Sequence, residues 1–250
     1  EIYVTVCDEK LIEILEIPSN PRITKLFDQL TLPISEGYEF EVNPKICDWM
    51  NQVSKAIDIG FIITIDYGYT AEELGSPEKA HGTLQTHYNH ITERNPYIRI
   101  GKQDITAHVN FSDLMAEGSA VGLRTVGIVS QSEFLYRLGF AQLLSEINQL
   151  RIHSSQKNEN TMAMRELVNL DGLGKFKVLV QEKNTCVSNL DEISPGLHGT
   201  DANLCQEYSS QIPLLQPHHI SLAKGRYPHT SWEIENLWPT NYDIDKLPII

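Results

Sequence analysis

The stretch that most constrains the chain is Gly60-Phe61-Ile62-Ile63-Thr64-Ile65, which breaks abruptly into Asp66-Tyr67-Gly68. A short β-branched and aromatic run, apolar at both alternations, predicts a strand covered on both faces, as in a parallel sheet. Asn43-Pro44 upstream reads as an N-cap with proline at the first helical position. Ile46, Trp49, Met50, Val53 and Ile57 then recur at helical spacing, which predicts a helix over 44–57 with one buried stripe. Helix, short loop, buried strand and a strand-end acid form an α/β unit. In open α/β sheets ligands gather beyond the carboxyl ends of the strands, which makes Asp66 the first candidate for a site. An acid there equally serves to cap the following turn, and spacing alone leaves both readings open.

At 250 residues, 41% hydrophobic and 21% charged, the chain has the length and composition to bury a full core. No run approaches the ~18 apolar residues of a membrane span, and no signal-peptide pattern is present. A net charge of −13, from 33 acidic against 20 basic residues, argues against a nucleic-acid backbone as main partner and is compatible with a basic or arginine-bearing one. Cys7, Cys47, Cys186 and Cys205 form no C-x-x-C pair. Reduced thiols, a cytoplasmic location and no metal centre are the expectation. The sequence begins at Glu1 within a strand pattern, which implies residues upstream.

Residues 2–6 and 11–15 alternate around a 7–10 turn and predict a hairpin that must pack on something to be stable. A short helix is expected at 23–30 and a short strand at 38–42. From Tyr69 to Gln103 no period is sustained, which predicts a long functional loop. His81, His87 and His90 lie in it, and His87-x-x-His90 could bring two imidazoles together without a recognisable third ligand. Ser112-Asp113 predicts a helix start, and Gly122 its end. Arg124–Val129 and Phe176–Val180 read as strands, 133–150 as a helix broken at Gly139, 154–158 as a loop and 161–170 as a helix. Residues 184–226 are polar and patternless and predict a flexible linker. The 227–250 tail carries Trp232, Trp238 and Tyr242 and should dock on its own body or on a second copy.

Four pieces, in this order, resemble one family: Ile65-Asp66-Tyr67-Gly68; Gly82-Thr83-Leu84 followed by His90; Gln103 to Phe111; and Gln131-x-x-Phe134-Leu135-x-x-Leu138-Gly139. Glu41-Val42 and Gly174-x-Phe176-Lys177-Val178 agree with it. Residues 1–183 are similar to the carboxyl-terminal part of the MidA family of S-adenosylmethionine-dependent methyltransferases, which includes the mitochondrial arginine methyltransferase of complex I assembly. One departure is Asn110, where the family more often has aspartate.

The resemblance implies a class I methyltransferase fold: an α/β, Rossmann-like, doubly wound and mainly parallel sheet with an antiparallel strand near one edge and an inserted β-hairpin. In it, 61–66 would be the fifth strand, and 124–129 and 176–182 the last two. The family's glycine-rich cofactor loop and ribose-binding acid have no counterpart here. The implied cofactor is S-adenosylmethionine and the implied acceptor an arginine in a protein partner. Asp66, Tyr67, Asp104 and His108 are the implied catalytic set. Gly68, His81, His90, Thr106 and Asn110 would shape the acceptor channel. His108 beside Val109 and Phe111 also reads as a half-buried packing histidine, and Thr106 as structural. The rival function is a catalytically incomplete binding or assembly module, or a fragment without independent activity.

Overall fold

The computed structural model describes residues 1–28, 35–89, 91–187 and Leu190. Strands β1 (Ile2–Cys7) and β2 (Lys10–Leu15) form the expected antiparallel hairpin. Asp8 and Glu9 both take positive φ, the conformation that a two-residue turn needs to match the strands' twist. Helix α1 (Pro21–Asp28) follows, then α2 (Ile46–Lys55). Asn43 does act at the start of α2, accepting from the Lys45 amide at 3.0 Å, but the helix proper begins later than expected.

Strand β3 (Gly60–Asp66) runs through the constraining stretch. The segment after it is less irregular than its sequence suggests. It holds β4 (Gly68–Tyr69), α3 (Ala71–Leu74), a 3-10 turn at Pro77–Lys79, β5 (Gln85–Tyr88), β6 (Ile91–Glu93), β7 (Asp104–Thr106) and β8 (Val109–Asn110). Elements of two to four residues are too short to show a period. Helix α4 (Phe111–Ala120), β9 (Arg124–Ser130), α5 (Gln131–Arg137), α6 (Phe140–Gln149), α7 (Ser154–Val168) and β10 (Lys177–Lys183) complete the described chain. Gly139, at φ +90°, separates α5 from α6 as its position predicts.

The main sheet has the order β3-β10-β9, and both pairings are antiparallel. One face packs on α2 and α4 through Ile46, Met50, Phe111, Leu114, Leu123 and Leu179, with Ile62 and Ile128 alongside. The other face buries Val178 and Val180 under Phe134 and Leu190. Gly118 on α4 leaves room for the Gln181 side chain, whose amide donates to the Leu114 carbonyl at 3.4 Å.

Several expectations are corrected here. β3 is not a strand covered on both faces in a parallel sheet: among the described residues it is an edge strand, antiparallel to its neighbour. Ile62 faces the core, whereas Phe61, Ile63 and Ile65 are 39%, 51% and 48% exposed. A β-branched run specifies extended backbone but not how many neighbours that backbone receives. A doubly wound parallel sheet is not present among the described residues; the only parallel pairing of strands there is the short β4–β8 contact, in a mixed α/β arrangement of small sheets. Residues 38–42 make one bridge, Glu39 with His81, rather than a strand. Residues 154–158 begin α7 and are not a loop. The expected helix end at 29–30 lies outside the described residues, as do His90, the 227–250 tail and all but 184–187 and Leu190 of the 184–226 linker.

The chain divides into two compact units: Glu1–Gly139 with Glu166–Gly199, and Phe140–Arg165 with Thr200–Ile250. The described part of the second unit is helical, its Lys157 ammonium donating to the Asn148 carbonyl at 2.7 Å. No helix of the described residues is long and apolar enough to cross a membrane.

Candidate active site

Strand β3 ends where its hydrogen-bond ladder to β10 ends, at Asp66 opposite Lys177. The Asp66 carboxylate accepts from the Tyr67 amide at 2.8 Å, so the acid does shape its own turn. The chain then passes against β8: the Val109 amide donates to the Tyr67 carbonyl at 3.1 Å, and Gly68 pairs with Val109. Gly68 is buried, and a β-carbon there would run into the Val109 carbonyl and the Phe111 ring. The glycine is what lets these two backbones meet.

This close approach brings aromatic rings together. Tyr67 meets His108 edge-on, with centroids 5.3 Å apart, and meets Phe176 in the same manner at 5.8 Å. Tyr69 lies 5.0 Å from His108 on another side, and the Lys79 ammonium stands 4.4 Å from the centre of the Tyr69 ring. Burial lowers the His108 pKa from its ordinary value. Its imidazole is therefore neutral near neutral pH. Its Nδ1 is buried and has no hydrogen-bond partner among the described residues.

A carboxylate clasp sets the position of this histidine. Glu41, just ahead of α2, accepts from the Thr83 amide at 2.8 Å, the Thr83 hydroxyl at 2.8 Å and the Leu84 amide at 2.9 Å. The Thr83 hydroxyl oxygen in turn accepts from the His108 amide at 3.0 Å. Gly82, at φ +67°, fits against the carboxylate where a β-carbon would strike it. Charge-assisted bonds to backbone N–H groups are the stronger kind, so Glu41 fixes the 82–84 turn and, through Thr83, the His108 backbone.

The structure thus brings Asp66, Tyr67, Gly68 and His108 together at one strand end. Asn110 lies on the adjoining strand as the N-cap of α4, accepting from the Ser112 amide at 3.0 Å. The others stand on different elements. Asp104 is exposed on β7, opposite His87, and Thr106 donates to the Gln85 carbonyl at 3.5 Å. His81 is exposed at its bridge with Glu39. His87 Nδ1 lies 3.2 Å from the Thr92 hydroxyl, and no group of three or more metal-ligating side chains occurs among the described residues.

Sequence reasoning missed Tyr69 and Lys79 as parts of the cluster, and carried Phe176, Glu41 and Thr83 only as agreements with a family. No spacing rule links Glu41 to a turn some forty residues later; the one available signal was Gly82-Thr83-Leu84 as a piece of the family resemblance. Chemically, the cluster can hold a cationic or flat group against ring faces and accept a proton at a neutral imidazole.

Comparison with known proteins bears on this arrangement. Residues 1–129 match a family described as "Putative S-adenosyl-L-methionine-dependent methyltransferase". Two crystal structures of COG1565 superfamily proteins from Burkholderia thailandensis are similar at 25% identity. One, bound to S-adenosyl-homocysteine, has a TM-score of 0.65 over 81% of this chain and 51% of its own. The other, a native structure, has a TM-score of 0.63 over 75% and 50%. The chain therefore spans about half the length of these solved relatives. A search of curated proteins finds no match. With more than half of its residues matched by the family model, the chain belongs to this S-adenosyl-L-methionine-dependent methyltransferase family.

Proposed function

We propose that this chain forms the acceptor side of a methyltransferase that modifies arginine in a protein partner. The observation that carries this reading is the placement of Tyr67, Tyr69, Phe176 and a half-buried, neutral His108 around the carboxyl end of β3. A guanidinium keeps its proton at neutral pH, so an acceptor arginine must be held flat and relieved of a proton as it is methylated. The ring faces supply the first need, by cation–π contact. The half-buried His108 imidazole, uncharged and with no hydrogen-bond partner at Nδ1 among the described residues, supplies the second. Asp66, already turned toward the Tyr67 amide, adds the negative potential that favours a cation there. Residues 1–183 would be the methyltransferase-like part, with 184–226 a linker and 227–250 a docking tail.

S-adenosylmethionine would supply the methyl group, but the residues present do not fit it unaided. Strands β4, β8 and β9 lead into helices at Thr70, Asn110 and Ser130, and each of these side chains caps its own helix by accepting from Glu73, Ser112 and Glu133 amides. None of these turns is the glycine-rich kind that brings free N–H groups up to a nucleotide-like ligand. Titration of this chain with S-adenosyl-homocysteine should therefore show no binding in the micromolar range. Micromolar binding would overturn the division of labour.

In the assembled enzyme, His108→Asn should lower turnover strongly and remove the acid limb of the rate–pH profile, while the melting temperature changes little. An unchanged profile would remove His108 from the chemistry. The occupied caps favour a second reading, in which the chain is a binding or assembly module; loss of partner binding in Tyr67→Ala without any methylation by the assembled protein would select it.

A further inference from the structure

Two opposite charges face each other across the end of the main sheet, yet the cation is bonded elsewhere. Asp66, the last residue of β3, stands opposite Lys177, the first of β10, in the antiparallel ladder. Directly opposed residues project from the same face with β-carbons about 4.5–5.5 Å apart, which puts an aspartate within a lysine's reach. Ser130, the other ladder neighbour of Lys177, carries no charge. Asp66 is therefore the expected partner of the Lys177 ammonium. The ammonium bonds instead to Glu73 Oε1, on α3, at 2.8 Å. The other oxygen of that carboxylate accepts from the Thr70 amide at 2.7 Å, while the Thr70 hydroxyl accepts from the Glu73 amide at 3.3 Å. This reciprocal cap orients Glu73 independently of Lys177. Burial pushes the Glu73 carboxyl up, but the bonds from Lys177 and Thr70 outweigh it and hold the group below its ordinary range. Glu73 is thus a charged, oriented anchor. Among the described residues the Asp66 carboxylate accepts only from the Tyr67 amide.

We infer that Glu73 is a positioning residue: it holds the Lys177 ammonium off Asp66 and leaves the Asp66 carboxylate for a cation bound at the end of β3. This rests on the acceptor reading above, in which the Tyr67, Tyr69 and Phe176 rings hold a guanidinium. A lysine paired to Asp66 would cancel the charge that attracts such a group. Lys177 nevertheless has a use where it is, because its bond to Glu73 ties the start of β10 to the short helix that follows β4. Two carboxylates compete for one ammonium, and the cap that orients Glu73 decides the competition. The fold keeps the tie without neutralising Asp66.

Glu73→Gln tests this without undoing the helix start, because glutamine in a capping box still accepts from the Thr70 amide. In a crystal structure of this variant of the 250-residue chain, Lys177 Nζ is expected within about 4 Å of an Asp66 carboxylate oxygen. Binding of methylguanidinium, followed through the Tyr67 ring resonances in NMR, should weaken by about threefold or more, the scale of one partly exposed charge pair. Adding Lys177→Met to Glu73→Gln should restore native binding, since no ammonium is left to reach Asp66. A residue that merely braces the fold predicts the opposite, because a second lost contact would weaken binding further. In an Asp66→Asn background, Glu73→Gln should change binding no more. Three results overturn the inference: a Lys177 that turns to solvent in Glu73→Gln, native binding by that variant, and a double variant no better than the single one. A native chain indifferent to methylguanidinium counts against the acceptor reading instead, and the position of Lys177 in the Glu73→Gln crystal then decides the inference.

Discussion

β9 and β3 are strands of equal length on either side of β10, yet only one has a packed surround. The sequence ranks them the other way: β3 is the more hydrophobic and reads as the more central. The difference teaches that apolar, β-branched content specifies extended backbone, whereas exposure depends on which neighbours the tertiary fold brings to that strand. The clearest way to break the comparison is by truncation. Leu179→Ala, in the core on β10, should cost about 2–5 kcal/mol in urea denaturation. Ile63→Ala, directly beside β10 but half exposed, should cost less than about 1 kcal/mol. Equal costs would mean that β3 is covered after all.

β3 also differs from itself along its length. Its outer face is open, but its carboxyl end is locked by Gly68, the ring cluster and the Glu41 clasp. Glu41→Gln turns one acceptor into a donor facing the Thr83 and Leu84 amides, and should destabilise by about 1–3 kcal/mol. It should also broaden or shift the His108 imidazole resonances in NMR, since the His108 amide donates to Thr83. A stability loss with unmoved His108 resonances would make the clasp a plain brace.

The covered side of the sheet offers a pH-dependent contrast. Asp113, in the first turn of α4, has its pKa raised to about 6 by burial, with Glu117 one turn on adding to the rise. The folded state thus holds this proton more tightly than the unfolded chain does. Its contribution is neutral below pH 4, becomes unfavourable as pH rises from about 4 to 6, and stays so above. Asp113→Asn should therefore raise the melting temperature at pH 7.5 and leave it unchanged at pH 3.5. A shift of the same size at both values would point to packing rather than ionisation.

The parts of the fold legible in sequence were those with local causes. The hairpin turn, the strand ending at Asp66, the break at Gly139 and the helix ending before Gly122 each follow from a few adjacent residues. What was not legible depended on partners distant in the chain. The resemblance implied an antiparallel strand near one edge, but nothing in Lys177–Lys183 itself announces that it is that strand, between β3 and β9, because register follows from packing. The His108 cluster was half legible: Tyr67 and His108 stood in conspicuous motifs, but Phe176 and Glu41 reach it only through the tertiary fold. Asp104 and His81 were singled out by the same motifs, yet both are exposed on other elements.

The smallest expected effect condenses the comparison into one residue. Glu182 on β10 lies opposite Arg124 of β9 on one side and Phe61 of β3 on the other. Among the described residues its carboxylate is held from the first side and from its own turn: it accepts from the Thr185 hydroxyl at 2.6 Å and amide at 2.7 Å, and from Arg124 at 2.7 Å. These bonds, the Thr185 hydroxyl foremost, lower its pKa. A lowered folded-state pKa gives stability that is present above the unfolded value and lost as pH falls through the folded one. The melting temperature of the chain should therefore exceed that of Glu182→Gln at pH 7, and the gap should close as the pH is lowered through the acid range. Arg124→Ala should narrow the gap at pH 7, whereas Phe61→Ala should leave it as it is. If Phe61→Ala also narrows it, the exposed ring shields the carboxylate, and β3 is coupled to the body of the sheet more tightly than its open face implies.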